Sequence, residues 1–191
     1  EKALRDFHDV RVVIFEPSGP PAPQQIAKRH TAPNMTPGRA ALVGLMHRYL
    51  GGLLDPFVTL LEVHKLMYFM KASGEDSLGR LRVVKGHYGP YAENLTHVLR
   101  EIEGYFVSGY RDGGDAPDKQ LEIVPGAVQD AHAFLRTHPE THARFDRVAD
   151  LVSGFETPFG LELLSTVHWV ITTEQARTMD EVVEHIYAWS D

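Results

Sequence analysis

The sequence predicts an α+β fold that is mainly helical, a helical domain with a small antiparallel β-sheet of about three strands. Two observations carry this. Apolar residues recur at helical spacing through most of residues 36–189, and only three short runs, Arg80–Lys85, Tyr105–Tyr110 and Gln120–Val124, read as strands. A run of turn residues, Arg111–Lys119, separates the last two.

The first helix is expected to open at Thr36-Pro37, a capping hydroxyl followed by a proline whose φ suits the first helical position. Ala40, Leu42, Val43, Leu45, Met46, Tyr49 and Leu50 give it an apolar face, and Gly51-Gly52 ends it. A second helix spans Thr59–Ala72, closed by Ser73-Gly74. Gly89-Pro90 is expected to turn the first strand into a helix over Pro90–Glu103. Ala127–Thr137 and Glu140–Ser153 follow as amphipathic helices, the first stopped by Pro139 and the second by Gly154. Thr157-Pro158 opens a helix that is apolar nearly all round up to Thr173, the pattern of a helix at the centre of a domain. Thr178 and Glu181 have capping-box spacing ahead of a last amphipathic segment through Trp189.

Residues 1–16 read differently, as the end of a helix followed by an apolar strand, Asp9–Glu16, of the kind buried on both faces of a sheet. Residues 17–34 hold Pro17, Pro20, Pro21, Pro23 and Pro33 and read as a linker. The expectation is a chain cut inside a preceding α/β domain, with 35–191 as the main domain, itself shortened at its C-terminal end.

Composition narrows the function. The 191 residues include no cysteine, which removes disulfides and thiolate chemistry, and no apolar run approaches the roughly 20 residues of a membrane span. A cytoplasmic location without membrane contact is the natural expectation. Net charge is −7, and Glu140–Asp191 alone carries ten carboxylates against Arg144, Arg147 and Arg177. Such a surface repels phosphate backbones, so residues 35–191 are not expected to bind nucleic acid directly, and a basic protein partner suits them better.

Catalytic motifs are wanting. No histidine pair brackets a glutamate in zinc-protease order, Pro139 interrupts His138 and His142, and there is no nucleophile elbow or phosphate-binding glycine loop. His64 and His168 lie in apolar helices, where a hydrogen-bonded core or boundary histidine is commoner than a catalytic one. No catalytic residue, metal site or cofactor is therefore expected, and the chain is read as a non-enzyme.

Two motifs stand apart: the helix with Lys65, Leu66, Tyr68 and Phe69, and Tyr88-Gly-Pro-Tyr91 about twenty residues later. Together they resemble the small antitoxin domains of the SocA-like, or Panacea, kind. With Met35-Thr-Pro-Gly-Arg39, Val84–Leu95, His138-Pro-Glu-Thr141 and Gly154-Phe-Glu-Thr-Pro-Phe-Gly160 included, residues 35–191 are similar to the C-terminal domain of DarG antitoxins. That resemblance implies a domain that binds and inhibits the toxin DarT, which ADP-ribosylates thymidine in single-stranded DNA. It also implies a preceding macrodomain that removes ADP-ribose from DNA, of which residues 1–16 would be a remnant. An acidic surface with aromatic corners could imitate DNA in the toxin's groove. The candidate contacts are Lys85, His87, Tyr88, Tyr91, Glu93 and Asn94 around the first corner, and Asp150, Phe155, Glu156, Phe159 and Glu162 around the second. Two alternatives stay open: a SocA-like adaptor that delivers a toxin to a protease, and a fragment of a DNA ADP-ribosyl glycohydrolase whose catalytic macrodomain lies elsewhere.

Overall fold

A computed structural model describes residues 32–52, 57–110 and 114–190. The helix and strand expected in residues 1–16, and most of the linker, lie outside the described residues.

The domain is mainly helical, as its pattern predicts. Helices α1 (Pro37–Leu50) and α2 (Leu60–Ala72) form its centre. In α2 every residue from Val63 to Met70 is buried, and in α1 the buried set runs from Ala40 to Met46 and includes Tyr49. Helices α4 (Ala127–Arg136) and α5 (Pro139–Val152) pack on α1. Gly44 allows that approach, because a Cβ there would lie 2.9 Å from the Phe145 ring. On the other side α6 (Pro158–Thr172) packs on α2, and α7 (Met179–Tyr187) packs on α6 through a small cluster of Val170, Ala176 and Trp189.

The helix starts follow the sequence signals. Thr36 and Thr157 cap α1 and α6 ahead of their prolines, and Thr178 forms a capping box with Glu181 at α7. The box at α2 reaches further into the core. Glu62, 2% exposed, accepts hydrogen bonds from the Thr59 backbone N–H and hydroxyl, both at 2.6 Å, and from the Tyr49 hydroxyl at 2.5 Å. Burial and then this carboxylate push the Tyr49 hydroxyl well above the ordinary phenol range, so it serves as a donor and does not ionise.

The fold departs from expectation in three respects. The run around Arg80–Lys85 does not join the other two. Its Val83–Gly86 portion, β2, pairs antiparallel with β3 (Gly89–Ala92), Gly86 opposite Gly89 and Val83 opposite Ala92. The three-stranded sheet is instead β1 (Val58–Thr59), β5 (Gln120–Ile123) and β4 (Val107–Ser108), in the order β1-β5-β4, with Val58 opposite Leu121 and Val107 opposite Ile123. Pro90 accordingly sits in a strand, where its missing N–H is harmless at a two-stranded edge, and helix α3 begins only at Leu95, running to Ile102. Gly89, at φ +84°, follows the His87-Tyr88 turn and closes the hairpin.

The third departure concerns α6, expected at the centre of the domain. Leu161, Ser165 and Val170 face inward, but Phe159 is 73% exposed and Leu163 and Ile171 are exposed as well. α1 and α2 already fill the centre, and α6 covers them from one side only.

Removing the shared acceptor should be costly. Glu62→Ala is expected to destabilise the domain by about 2 kcal/mol or more, since it strips the cap of α2 and leaves the buried Tyr49 hydroxyl unpaired. The shift in denaturation midpoint at constant slope measures it.

Candidate functional site

Besides Glu62, two neighbouring polar side chains interrupt the apolar interior of α2, His64 and Lys65, each 2% exposed. The Lys65 Nζ donates to the Pro90 carbonyl at 2.7 Å, tying α2 to β3. Burial lowers its ammonium pKa to about 8, opposed by the attraction of Glu162 across the seam. Gly89 lies in the same seam, and a Cβ there would stand 2.7 Å from Thr166 Oγ1 on α6 and 3.2 Å from Lys65 Nζ. Glycine is thus required twice, by the positive φ and by the close approach.

His64 stacks on Tyr91, ring centroids 4.2 Å apart at 30°. Both of its ring nitrogens are buried without a hydrogen-bond partner. Burial, with a smaller push from Lys65, lowers its pKa to about 3, so the ring is a neutral imidazole. The expectation of a hydrogen-bonded core or boundary histidine is met by the half-buried His168, whose Nδ1 lies 2.6 Å from the Tyr68 hydroxyl, and fails for His64. Unsatisfied buried groups cost about 1–3 kcal/mol each, so this arrangement is one that folding alone does not favour.

Beside the stacked pair is a cavity of about 260 Å³. Leu60, Leu61 and Pro117 form its apolar walls, and His87, Tyr88 and Asp115 stand with Gly86 and Gly89 around it. Tyr88 is 46% exposed and meets His87 edge to face at 4.6 Å.

The structure divides the expected contact residues by task. His87, Tyr88 and Tyr91 line the cavity. Lys85 points elsewhere: its Nζ pairs with Glu174 at 3.1 Å and lies over the Trp189 ring at 4.2 Å, while Trp189 Nε1 donates to the Gly86 carbonyl at 2.8 Å. Glu174 also meets His185 Nδ1 at 2.8 Å, and these contacts clasp the chain around α7 to the hairpin. Glu93 pairs with Arg82 at 3.2 Å. Asn94 holds the turn before α3, accepting from the Arg82 N–H at 2.8 Å and donating to the Arg80 carbonyl at 2.9 Å.

The second group lies at the α5–α6 corner. Phe155 and Phe159 are exposed, and so is Leu151 at the end of α5. Glu156 accepts from the Gly154 N–H at 2.8 Å, and Asp150 sits 3.8 Å from Arg48. Glu162 is half-buried and its charge acts on Lys65, while its backbone carbonyl accepts from Ser165 Oγ and Thr166 Oγ1. Two features escaped the sequence reading: the His64–Lys65 seam, signalled only by charge inside an apolar helix, and the continuation of Phe159 into an exposed row with Leu163 and Ile171, signalled by spacing in multiples of four.

No family model matches the chain. Among curated proteins, one from Thermus aquaticus named DNA ADP-ribosyl glycohydrolase is 38% identical over 190 residues, which is 100% of this chain and 51% of that protein. Proteins of the same name from Mycobacterium bovis and Mycobacterium tuberculosis are each 32% identical over 98% of the chain and 55% of their own length. The chain therefore spans about half the length of the curated relatives it matches. These names correct one expectation. Homologues matched along the whole chain carry the name of a hydrolase, which overturns the reading of the chain as a non-enzyme. Among the described residues no helix is long and apolar enough to cross a membrane.

The seam makes stability depend on pH in a definite direction. His64 has a folded pKa near 3 against an ordinary value of 6.5, so the unfolded chain binds the extra proton between those values, and stability is lost as pH falls from 6.5 toward 3. Between pH 6.5 and pH 5 this group alone should cost about 2 kcal/mol, at 1.36 kcal/mol per pH unit. Denaturant titrations at both values, on the parent and on His64→Phe, should show the loss shrinking in the variant. Gly89→Ala should lower the melting temperature, at a cost of about 1 kcal/mol or more.

Proposed function

We propose that this chain is part of a DNA ADP-ribosyl glycohydrolase of the DarG antitoxin kind, and that residues 35–191 within it bind and restrain the toxin DarT. Support for the first half is the shared name of its homologues, and the protein that carries this chain is expected to release ADP-ribose from modified DNA. For the second half, the observation that carries the reading is the outer face of α6. Phe159, Leu163 and Ile171 form an exposed apolar row, continued at the corner by Phe155 and Leu151, with Asp150 and Glu156 beside it. A soluble domain gains nothing by leaving such a row to water, and apolar surface rimmed by charge is how protein-binding faces are built. The motif resemblance supplies the partner's identity, and the negative balance of Glu140–Asp191 fits a partner whose own ligand is single-stranded DNA. In this reading the carboxylates and aromatic rings occupy the toxin's basic groove in place of DNA, in the cytoplasm where both would act.

Mixing the chain with DarT on a sizing column should give a complex with reduced ADP-ribosylation of a DNA oligomer. Leu163→Glu should weaken that complex at least tenfold without lowering the melting temperature. Asp150→Lys should slow association most at low salt, where the Debye length approaches about 30 Å. If the oligomer and the chain bind DarT together, DNA imitation is wrong. If DarT abundance falls in cells while its specific activity stays intact, a proteolytic adaptor replaces the inhibitor.

A further inference from the structure

The β2–β3 hairpin has two edges, and only one is closed. On β3, Pro90 has no N–H to offer and its carbonyl accepts from Lys65 at 2.7 Å. β2 differs. The Glu93 N–H donates to the Arg82 carbonyl at 3.0 Å, which makes these two a hydrogen-bonded pair, and by antiparallel alternation Val84 and Gly86 face β3 as well. Val83 and Lys85 therefore turn their N–H and C=O groups outward, and no hydrogen bond from the described residues reaches them.

A groove of about 640 Å³ accompanies this strand. Arg82, Val83 and Val84 all line it, and because consecutive strand side chains point to opposite faces, the groove follows the edge of β2 and not one face. Tyr68, Ala72, Leu81 and Trp169 make its lining largely apolar. At the turn, Trp189 holds the Gly86 carbonyl at 2.8 Å, so the open length is Arg82–Lys85. The charge here is also distinctive. Residues 80–85 bring Arg80, Arg82 and Lys85 and no carboxylate, on a chain of net charge −7. Arg82 and Lys85 pair with Glu93 and Glu174, while the exposed Arg80 has no ion-pair partner among the described residues.

Free N–H and C=O groups along a strand edge are matched by another extended backbone, whereas phosphate oxygens accept hydrogen bonds but cannot donate to the carbonyls. The cationic rim selects acidic side chains on that backbone. A second copy is disfavoured, because two β2 edges would bring like charges together. We propose that the outer edge of β2 takes up an extended, acidic segment of a protein partner as a third strand, with apolar side chains of that segment lying in the groove. This goes beyond the toxin reading and does not depend on it, since the edge is cationic where the α5–α6 corner is acidic.

The probe is an acetylated, amidated heptapeptide of alternating valine and glutamate, added to the full chain. Amide spectra should show saturable shifts and at least fivefold slower hydrogen exchange at Val83 and Lys85, with Val84 unchanged because its N–H already faces β3. The same peptide with lysine in place of glutamate should bind at least tenfold more weakly. Val83→Pro removes an outward N–H that holds no internal bond, and should weaken binding at least tenfold. Should that variant also melt lower, Arg80→Glu decides, with binding weakened at least threefold at an unchanged melting temperature. No saturable response at Val83 and Lys85, or equal binding of the lysine peptide, overturns the proposal. So does a thymidine oligomer that shifts these amides where the glutamate peptide does not, which would make the edge a nucleic-acid site. Each of these outcomes reads the same whether or not DarT binds the chain.

Discussion

An ammonium group held almost out of water joins the parts of this domain. Lys65 donates to a backbone carbonyl of β3, feels the carboxylate of Glu162 on α6, and sits against Gly89 of the hairpin, which has no side chain. Burying a cation costs free energy unless the geometry around it is fixed, so the seam constrains all three elements at once. Gly89 is the complementary requirement, since any Cβ would press on Thr166 and displace the hairpin from the lysine. The Tyr88-Gly-Pro-Tyr91 motif is thereby explained as structure: glycine and proline make the seam, and the two tyrosines are what it presents.

The same seam sorts stability from recognition. Around α1 and α2 the polar groups that matter are satisfied, as Glu62 is by Thr59 and Tyr49. At the cavity, His64 keeps two unpaired nitrogens, and on the outer face of α6 large apolar side chains stand in water. Departures of this kind lower stability. Among the described residues they fall beside β3, along the α5–α6 corner and outer face of α6, and on α7, where Met179, Val183 and Tyr187 are exposed. α7 has no buried residue within its span and is held by Trp189, Lys85 and the Glu174–His185 pair, so it fastens the hairpin to the far end of α6.

The relatives' shared name and the motif resemblance bear on different levels. The name speaks for a protein about twice the length of this chain, while the motifs fall on the seam and the corner of one domain within it.

What the sequence by itself determined is local. Thr36, Thr59, Thr157 and Thr178 mark helix starts because a capping hydroxyl serves an N–H only three residues on, and the apolar period within each helix names its buried face. The tertiary structure decided what depends on distant partners. Lys65 finds Pro90 across 25 residues and Tyr68 finds His168 across 100, and no local pattern encodes either meeting. Strand pairing went the same way: three short runs of similar character could form one sheet, but Gly89 folds β2 back on its neighbour, leaving Val58–Thr59 to complete the other. For α6, apolar residues all round are equally compatible with a central helix and with one that has core on one side and an exposed apolar row on the other. Only the prior claim of α1 and α2 on the centre of the domain settles which it is.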